Sequence, residues 1–536
     1  LLGSDGWRMI NTTRQPTSPN LSSATPRVFV YPGNDKDDRI DVSADVIAFS
    51  ASNSVDSPVG RFTISLLLRQ GTEVLVGRME ASPSLLSVVR LNAIVTLGFD
   101  QPGGITMGRV VAIGEGGSFE GSGASSRRFE LQCETMGSLL TNDTIVLSAL
   151  TGTGSETFRA QIRLALGDDN PMLIALPDTL GPLSPGGPDE AVNTFIGAGI
   201  AEVIRWAIDK VPSMQIPLMG SLYGDPKPGA WFRTDGSVTG WNDARIWTDD
   251  LKTYQGDMFG FIRSAVDHDF YEVFVDTVPY KPKFVNNSQT NSASDVPDVF
   301  LIVRPKPFDW SVAEVLPVTE ETGLRWEDLR TRVDSLDAHV FELGDVITYQ
   351  VGTSEREVYS WYQITSDCEL IGNRASVALG LAYPAVDLYM VKRHGLRPYN
   401  ARLALIGADI AAKASGDEQY TGEVINQITE FRNRLVNWHR FNRWMLNGSI
   451  TVRGSDSYRP GDPVSLPWMS AALGDELGVR FYCTAVSWSW RVGSRYECTL
   501  TLTRGANETM ITEARLMMAR EANENPGLPR EMMALA

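Results

Sequence analysis

The stretch GSITVRGSDSYRPGDPVSLPW, Gly448 to Trp468, decides the fold. It reads as a strand, a Pro-Gly turn and a second strand. It carries no evident nucleophile, metal ligand or phosphate loop. Pro460 and Gly461 suit the two central positions of a type II turn, where Pro fixes φ and Gly takes φ > 0. Arg459 and Asp462 flank that turn and either pair or face water; an exposed pair would contribute about 0–1 kcal/mol. The stretch is therefore read as scaffold that presents a turn.

Its flanks extend the pattern. Upstream, from Tyr420, Val424, Ile428, Phe431, Leu435, Trp438 and Met445 fall on one apolar helical stripe, as core packing requires. Downstream, GVRFYCTAVSWSWRVGSRYECTLTLTRG reads as a hairpin closing on Thr503, Arg504 and Gly505. A two-residue Gly493-Ser494 turn would pair Trp488 with Thr499 and Trp490 with Glu497. The tryptophan face would then oppose the Tyr496, Cys498, Leu500, Leu502 face. Either a bulge shifts the register, the favoured outcome, or both tryptophans lie outside and mark a subunit interface.

Toward the N-terminus, short alternating runs bounded by turn residues predict strands. DVIAFS places Ile47 and Phe49 on one face; RFTISLLL places Phe62, Ile64 and Leu66 on one face. TEVLVGRME, AIVTLGF, ITMGRVVAIGEG and RRFELQCE follow. The predicted organisation is an extended arm over 1–26 and a first tube-like β-barrel over 27–170. A Pro/Gly-rich linker, a helix (Ala191 to Lys210) and an insertion with Trp231, Trp241 and Trp247 fill 171–250. A middle α/β region with strands of a second barrel occupies 251–400, where YQGDMFGFIRSAVDHDFYEVFVDT reads as helix then strand and DVFLIVRPKPFDW as a second strand. The long helix and closing strands take 401–505. A Met-containing tail, read as a partner-binding element, takes 506–536. The fold class is α+β and β-rich: two tube-like β-barrel domains with inserted helices and a smaller α/β middle region.

The bulk numbers bound the function. A chain of 536 residues is too long for one ordinary core, so about two to four domains are expected. Hydrophobic content of 43% and charged content of 21% argue for a folded chain. The net charge of −17 argues against wrapping nucleic acid, which needs Lys and Arg against phosphates. Cys133, Cys368, Cys483 and Cys498 lack CxxC spacing and are read as free, buried thiols, although Cys483 and Cys498 could face each other across the hairpin. The opening LLGSDGWRMINTTRQ has too short an apolar run for a signal peptide. Val192 to Val211 carries Glu202, Arg205, Asp209 and Lys210 and reads as amphipathic rather than membrane-spanning.

Searches for chemistry return little. There is no GxxxxGK[ST] and no GxSxG. FIGAGIAE follows a loop and lacks the third glycine of a dinucleotide site. His268, His339, His394 and His439 are scattered, and Asp267-His268-Asp269 reads as a polar turn rather than a metal site. No catalytic, cofactor-binding or metal residue is assigned, no cofactor is expected, and the chain is read as not an enzyme.

The order of motifs in the C-terminal third resembles the baseplate hub proteins of bacteriophage tails, related to the hub portion of type VI secretion spikes. The matching residues are Gly448, Ile450 and Gly454, then Arg459, Pro460, Gly461 and Asp462. Tyr482, Val486, Tyr496, Thr499, Leu500 and Leu502 continue the pattern, with Trp488 where the family carries His. DFYEVFVDT with FLIVRPKPFDW is similar to a further strand pair of that family. GRVVAIGEGG with RRFELQCETMGSLL, and DVSADVIAFSASNSVDSPVGRFTISL, are similar to its first barrel. The resemblance covers most of 27–505. It implies a structural virion protein, a homotrimer joining the tail tube or distal tail protein to the spike or tip. It also implies contacts with the tape-measure protein and other baseplate proteins, and DNA passing only in transit through the lumen during genome ejection. Location in the virion tail baseplate, assembly in the host cytoplasm and no stable membrane association follow from the same resemblance. Two rivals stand beside it: a tail-associated peptidoglycan hydrolase with paired carboxylates in a cleft, and a glycan-binding receptor protein using Trp231, Trp241 and Trp247.

Overall fold

The computed structural model describes residues 25–32, 39–68, 89–99, 104–119, 125–142, 144–146, 244–246, 255–264, 271–278, 298–305, 338–365, 384–402, 405–407, 438–469 and 478–507, with parts of 429–436 and 509–517. The N-terminal strands are β1 (Arg27–Tyr31), β2 (Ile40–Asp41), β3 (Val46–Ser54), β4 (Arg61–Leu68), β5 (Ile94–Gly98), β6 (Thr106–Phe119), β7 (Ser125–Thr135) and β8 (Thr144–Val146). The middle of the chain gives β9 (Ala244–Ile246), β10 (Gln255–Asp257), β11 (Tyr271–Val278) and β12 (Asp298–Pro305). It continues with β13 (His339–Val340), β14 (Val346–Thr353), β15 (Trp361–Thr365), β16 (Ala385–Val386), β17 (Pro398–Arg402) and β18 (Leu405–Gly407). The C-terminal strands are β19 (Leu446–Arg453), β20 (Pro463–Leu466), β21 (Val479–Arg491) and β22 (Glu497–Ala506). The helices with complete bounds among the described residues are α1 (Ser138–Asn142), α2 (Met258–Ser264) and α3 (Leu388–His394); further helical residues lie within 429–440 and 509–517.

Thirteen of these strands form one curled, mainly antiparallel sheet, ordered β14-β19-β22-β21-β3-β4-β7-β6-β5-β1-β2, with β13 and β20 beside β21. The strand groups expected to build two separate barrels are thus joined in a single sheet. The seam is β3 against β21, running from Ser54↔Ala485 to Ala48↔Arg491. Each group brings a strand with an unpaired edge to the seam, and pairing them satisfies both rows of backbone donors and acceptors. Among the described strands, the two ends of the sheet, β14 and β2, do not pair with each other.

One core fills the concave side. Phe62, Ile64 and Leu66 of β4 are buried on one face, as their alternation predicts. In β3 Val46, Phe49, Ala51 and Asn53 are buried while Ile47 is only half-buried, because a register shift between Val46 and Ala48 turns the strand by one residue. Rings from both groups meet across the seam: Phe99 stacks on Tyr496 at 4.2 Å, and Phe49 and Phe99 lie 6.1 and 5.8 Å from Trp490.

The hairpin question is settled by the connector. The turn is not the two-residue Gly493-Ser494. β21 ends at Arg491 and β22 starts at Glu497, so five residues intervene. Trp488 therefore pairs with Cys498 and Ser489 with Glu497, one position from the two-residue register. That shift puts Trp488 and Trp490 on the face of Tyr496, Cys498 and Leu500, all buried, with Trp488 1% exposed. The tryptophans are core, not interface. Cys483 pairs with Leu502, so the two hairpin cysteines are not opposite each other. Cys133, Cys483 and Cys498 are free and buried.

The apolar helix stripe is also core where it is described: Phe431, Leu435, Trp438 and Met445 are buried, and Ala514 of the C-terminal segment packs against Phe441 and Met445. The two strands expected here are present as β11 and β12, which pair antiparallel over their whole length. The stretch TEVLVGRME, the helix Ala191 to Lys210, FIGAGIAE, Trp231, Trp241, Trp247, Cys368 and Asp267 to Asp269 lie outside the described residues. Among the described residues, no helix is long and apolar enough to cross a membrane.

Candidate functional site

The Arg459–Asp462 turn sits at the junction of the two strand groups. Gly461 has φ 89°, the left-handed value that a type II turn requires of its third residue. Its N–H donates to the Cys483 carbonyl at 2.7 Å, and the Cys483 N–H donates to the Asp462 carbonyl at 3.0 Å, so the turn is stitched to β21. Two motif glycines are explained by close approach. A Cβ on Gly448 would enter the backbone of β14 at Gln350, and one on Gly454 would enter the Tyr496 ring.

Arg459 and Asp462 neither face water together nor form a guanidinium–carboxylate pair. Only the Arg459 backbone N–H donates to the Asp462 carboxylate, at 3.1 Å. That carboxylate also meets His339 Nε2 at 2.8 Å, which ties β13 to the turn. The Arg459 side chain, 5% exposed, turns inward. Its guanidinium donates to the carbonyls of Ile105, at 2.7 Å, and Gly104, more than 350 residues earlier in the chain. It also lies 3.9 Å from the Asp276 carboxylate of β11, itself 5% exposed. Asp276 accepts a further bond from Asn53 Nδ2 of β3 at 3.2 Å. One arginine thereby links the N-terminal group, the middle region and the C-terminal group.

Asp456 reinforces the same junction. It accepts from the Phe99 N–H at 2.6 Å and from the Tyr496 hydroxyl at 3.0 Å. Gly104 is its close neighbour, and a side chain there would drive into the carboxylate. Burial, then the nearby Cys498 and Asp456, push the Tyr496 phenol well above its ordinary range, so it stays a neutral donor. Burial likewise raises the thiols of Cys133, Cys483 and Cys498, leaving them protonated and unreactive near neutrality. A buried charge is tolerated only when paired and hydrogen-bonded, and these charges are.

The strand β11 carries Glu272 and Asp276 on one face, at positions i and i+4. Asp276 serves the junction, while Glu272 accepts from the Tyr482 hydroxyl and lines a cleft of about 290 Å³ beside it. Sequence reading passed over Asn53, Glu272, Asp276 and Asp456. The available signal was two acids at same-face positions in YEVFVDT, a strand whose residues 272–276 are all buried. Among the described residues, no group of three or more His, Cys, Asp or Glu is arranged to hold a metal. His339, His394 and His439 lie apart: at the turn, beside Glu355, and in the wall of the cleft.

No protein-family model matches the chain, and no curated protein matches it. Solved structures similar to it include two tail proteins and a type VI secretion component. The tail protein from Neisseria meningitidis MC58 is 9% identical, with a TM-score of 0.43, over 89% of this chain and 96% of that one. The 43 kDa tail protein of prophage MuSo2 from Shewanella oneidensis is 8% identical, with a TM-score of 0.38, over 89% and 98%. The E. coli c3393 protein, a type VI secretion component described as structurally similar to the T4 tail proteins gp27 and gp5, is 9% identical, with a TM-score of 0.34, over 87% and 74%.

Proposed function

We propose that this chain is a structural protein of a bacteriophage-type tail, the central hub of the baseplate or tail tip. The two strand groups are its two tube-like β-barrel units. It works as a homotrimer that joins the tail tube or distal tail protein to the spike or tip. It contacts the tape-measure protein and other baseplate proteins, and DNA meets it only while passing through the lumen. It resides in the virion after assembly in the host cytoplasm, without stable membrane association.

The observation that carries this reading is the junction. Motifs scattered from residue 27 to 505, whose order resembles the hub family, meet there around the buried Arg459. A rigid body that transmits load between two partners needs its halves locked together, and buried charges that are paired and hydrogen-bonded across the halves do this. The net charge of −17 suits a lumen that DNA slides through without sticking. The contact between copies is assigned to β14. This edge strand has eight residues, VITYQVGT, with no charge and no proline, and exposes Ile347 and Tyr349. A long, uncharged edge of this kind invites pairing with another chain.

The test is the absolute mass of the purified chain by light scattering, alone and mixed with the spike of the same tail. Three times the chain mass for the chain alone, or three chains plus the bound spike in the mixture, supports the hub. A stable monomer that does not assemble with the spike, and that clears cell walls, overturns it.

A further inference from the structure

The cleft beside the junction is built for a ligand of definable chemistry. Its wall is a set of three rings, Tyr359, Tyr399 and His439, whose centroids lie 4.6 to 5.0 Å apart. Its floor is charged. Glu272, 6% exposed, accepts from the Tyr482 hydroxyl. Arg504, 8% exposed, is clamped over the Trp438 ring at 4.1 Å and donates to Asn442 Oδ1 at 3.2 Å and to the Trp438 carbonyl at 2.8 Å. Arg504 also has φ 55°, a left-handed conformation unusual for a side-chain-bearing residue. Its backbone N–H is held by Asn447 Oδ1 at 3.0 Å. The surroundings thus fix both backbone and side chain, and strain held in this way is typical of ligand sites. The rim carries Asp56, Glu357 and Arg263, all exposed.

The signs of charge narrow the ligand. Among the described residues, three carboxylates and two guanidinium groups line one small space. A phosphate would meet the carboxylates, and a compact cation would meet the guanidinium groups. A wholly apolar ligand would strip water from the exposed Asp56, Glu357 and Arg263 without replacing its hydrogen bonds. A neutral polyhydroxylated ring suits the exposed groups of both signs. Its hydroxyls donate to Glu357 and Asp56 and accept from Arg263 at the rim, while its C–H face lies on the ring wall. The volume, near the roughly 300 Å³ lower end of ligand pockets, fits one or two sugar rings.

We propose that this cleft binds a neutral hexose unit of a saccharide. Its occupancy is independent of the tail assignment. The probes are cellobiose, maltose and N,N′-diacetylchitobiose, each titrated into the full chain. Saturation-transfer NMR follows contact at the ring C–H protons, and calorimetry follows affinity. At least one probe is expected to bind with a Kd of about 1 mM or tighter. Tyr399→Ala should weaken it about tenfold, the equivalent of 1.4 kcal/mol, while Tyr399→Phe, which keeps the ring, should bind as the parent does. Glu357→Gln, at the exposed rim where folding is not at stake, should weaken it several-fold. The proposal is overturned if no probe binds at about 10 mM, roughly tenfold above that Kd. It is equally overturned if a probe binds with an affinity that neither Tyr399→Ala nor Glu357→Gln changes.

Discussion

Replacing Arg459 by Met tests the junction most directly. Met keeps much of the side-chain volume and removes the charge and all donors, so packing loss is small. Three partners are left behind: the carbonyls of Gly104 and Ile105, and the Asp276 carboxylate. A buried acceptor without its donor costs about 1–3 kcal/mol. Breaking a buried ion pair by removing one member costs about 3–5 kcal/mol. Asp276 keeps its bond from Asn53, which offsets part of this cost. The expected loss is therefore about 3–5 kcal/mol in urea unfolding followed by tryptophan fluorescence. A double-mutant cycle isolates the pair. With Asp276→Asn the abandoned charge disappears, so Arg459→Met with Asp276→Asn should be less destabilised than the sum of the single changes by about 1–3 kcal/mol. Amide exchange should also accelerate at Ile105, which Arg459 holds directly, and at Phe99, held by Asp456 just before the turn, both far from position 459 in sequence. If Arg459→Met costs less than about 1 kcal/mol, the value of an exposed pair, or if the two changes add, the junction does not hold the halves together.

Other outcomes follow from the same structure. Tyr349→Lys places a charge on the exposed edge strand β14, which should reduce trimers to monomers by light scattering while the monomer's unfolding midpoint stays put; persistent trimers would move the contact elsewhere. Gly454→Ala should cost about 1–3 kcal/mol, since its methyl overlaps the packed Tyr496 ring; a neutral result would show that this ring can yield. The buried thiols and the Tyr496 phenol have folded values raised above the unfolded ones. Their contribution is therefore complete below the ordinary thiol value of 9.0 and is lost as pH climbs above it. The urea midpoint should accordingly be level from neutral pH to about 9 and fall beyond it. A native chain should leave Cys133, Cys483 and Cys498 unmodified by a thiol reagent until it unfolds; rapid labelling would contradict their burial.

Much of this was legible in the residues because it is local. Period-two alternation in RFTISLLL placed Phe62, Ile64 and Leu66 inside, since a pleated strand sends alternate side chains to opposite faces. Pro460 followed by Gly461 specified a type II turn, since only glycine takes the required φ cheaply. The helical stripe through Phe431, Leu435 and Trp438 specified a buried face. Register was less secure. A single residue in the connector between Arg491 and Glu497 decides whether Trp488 and Trp490 face core or solvent, and loop length is not encoded in alternation.

What the chain could not announce is what lies opposite what at long range. Arg459 looked like a turn residue free to meet its neighbour Asp462. Only the tertiary fold brings Gly104, Ile105 and Asp276 to its guanidinium, and brings β3 against β21 so that two groups of strands share one core. Likewise Glu272, Tyr399, His439 and Arg504 carry no spacing that joins them; the cleft exists because four elements converge. Hydrophobic period and turn chemistry act over a few residues and can be read in order. The pairing of strand edges and the burial of charge act across hundreds of residues, where sequence distance carries no information about separation in space.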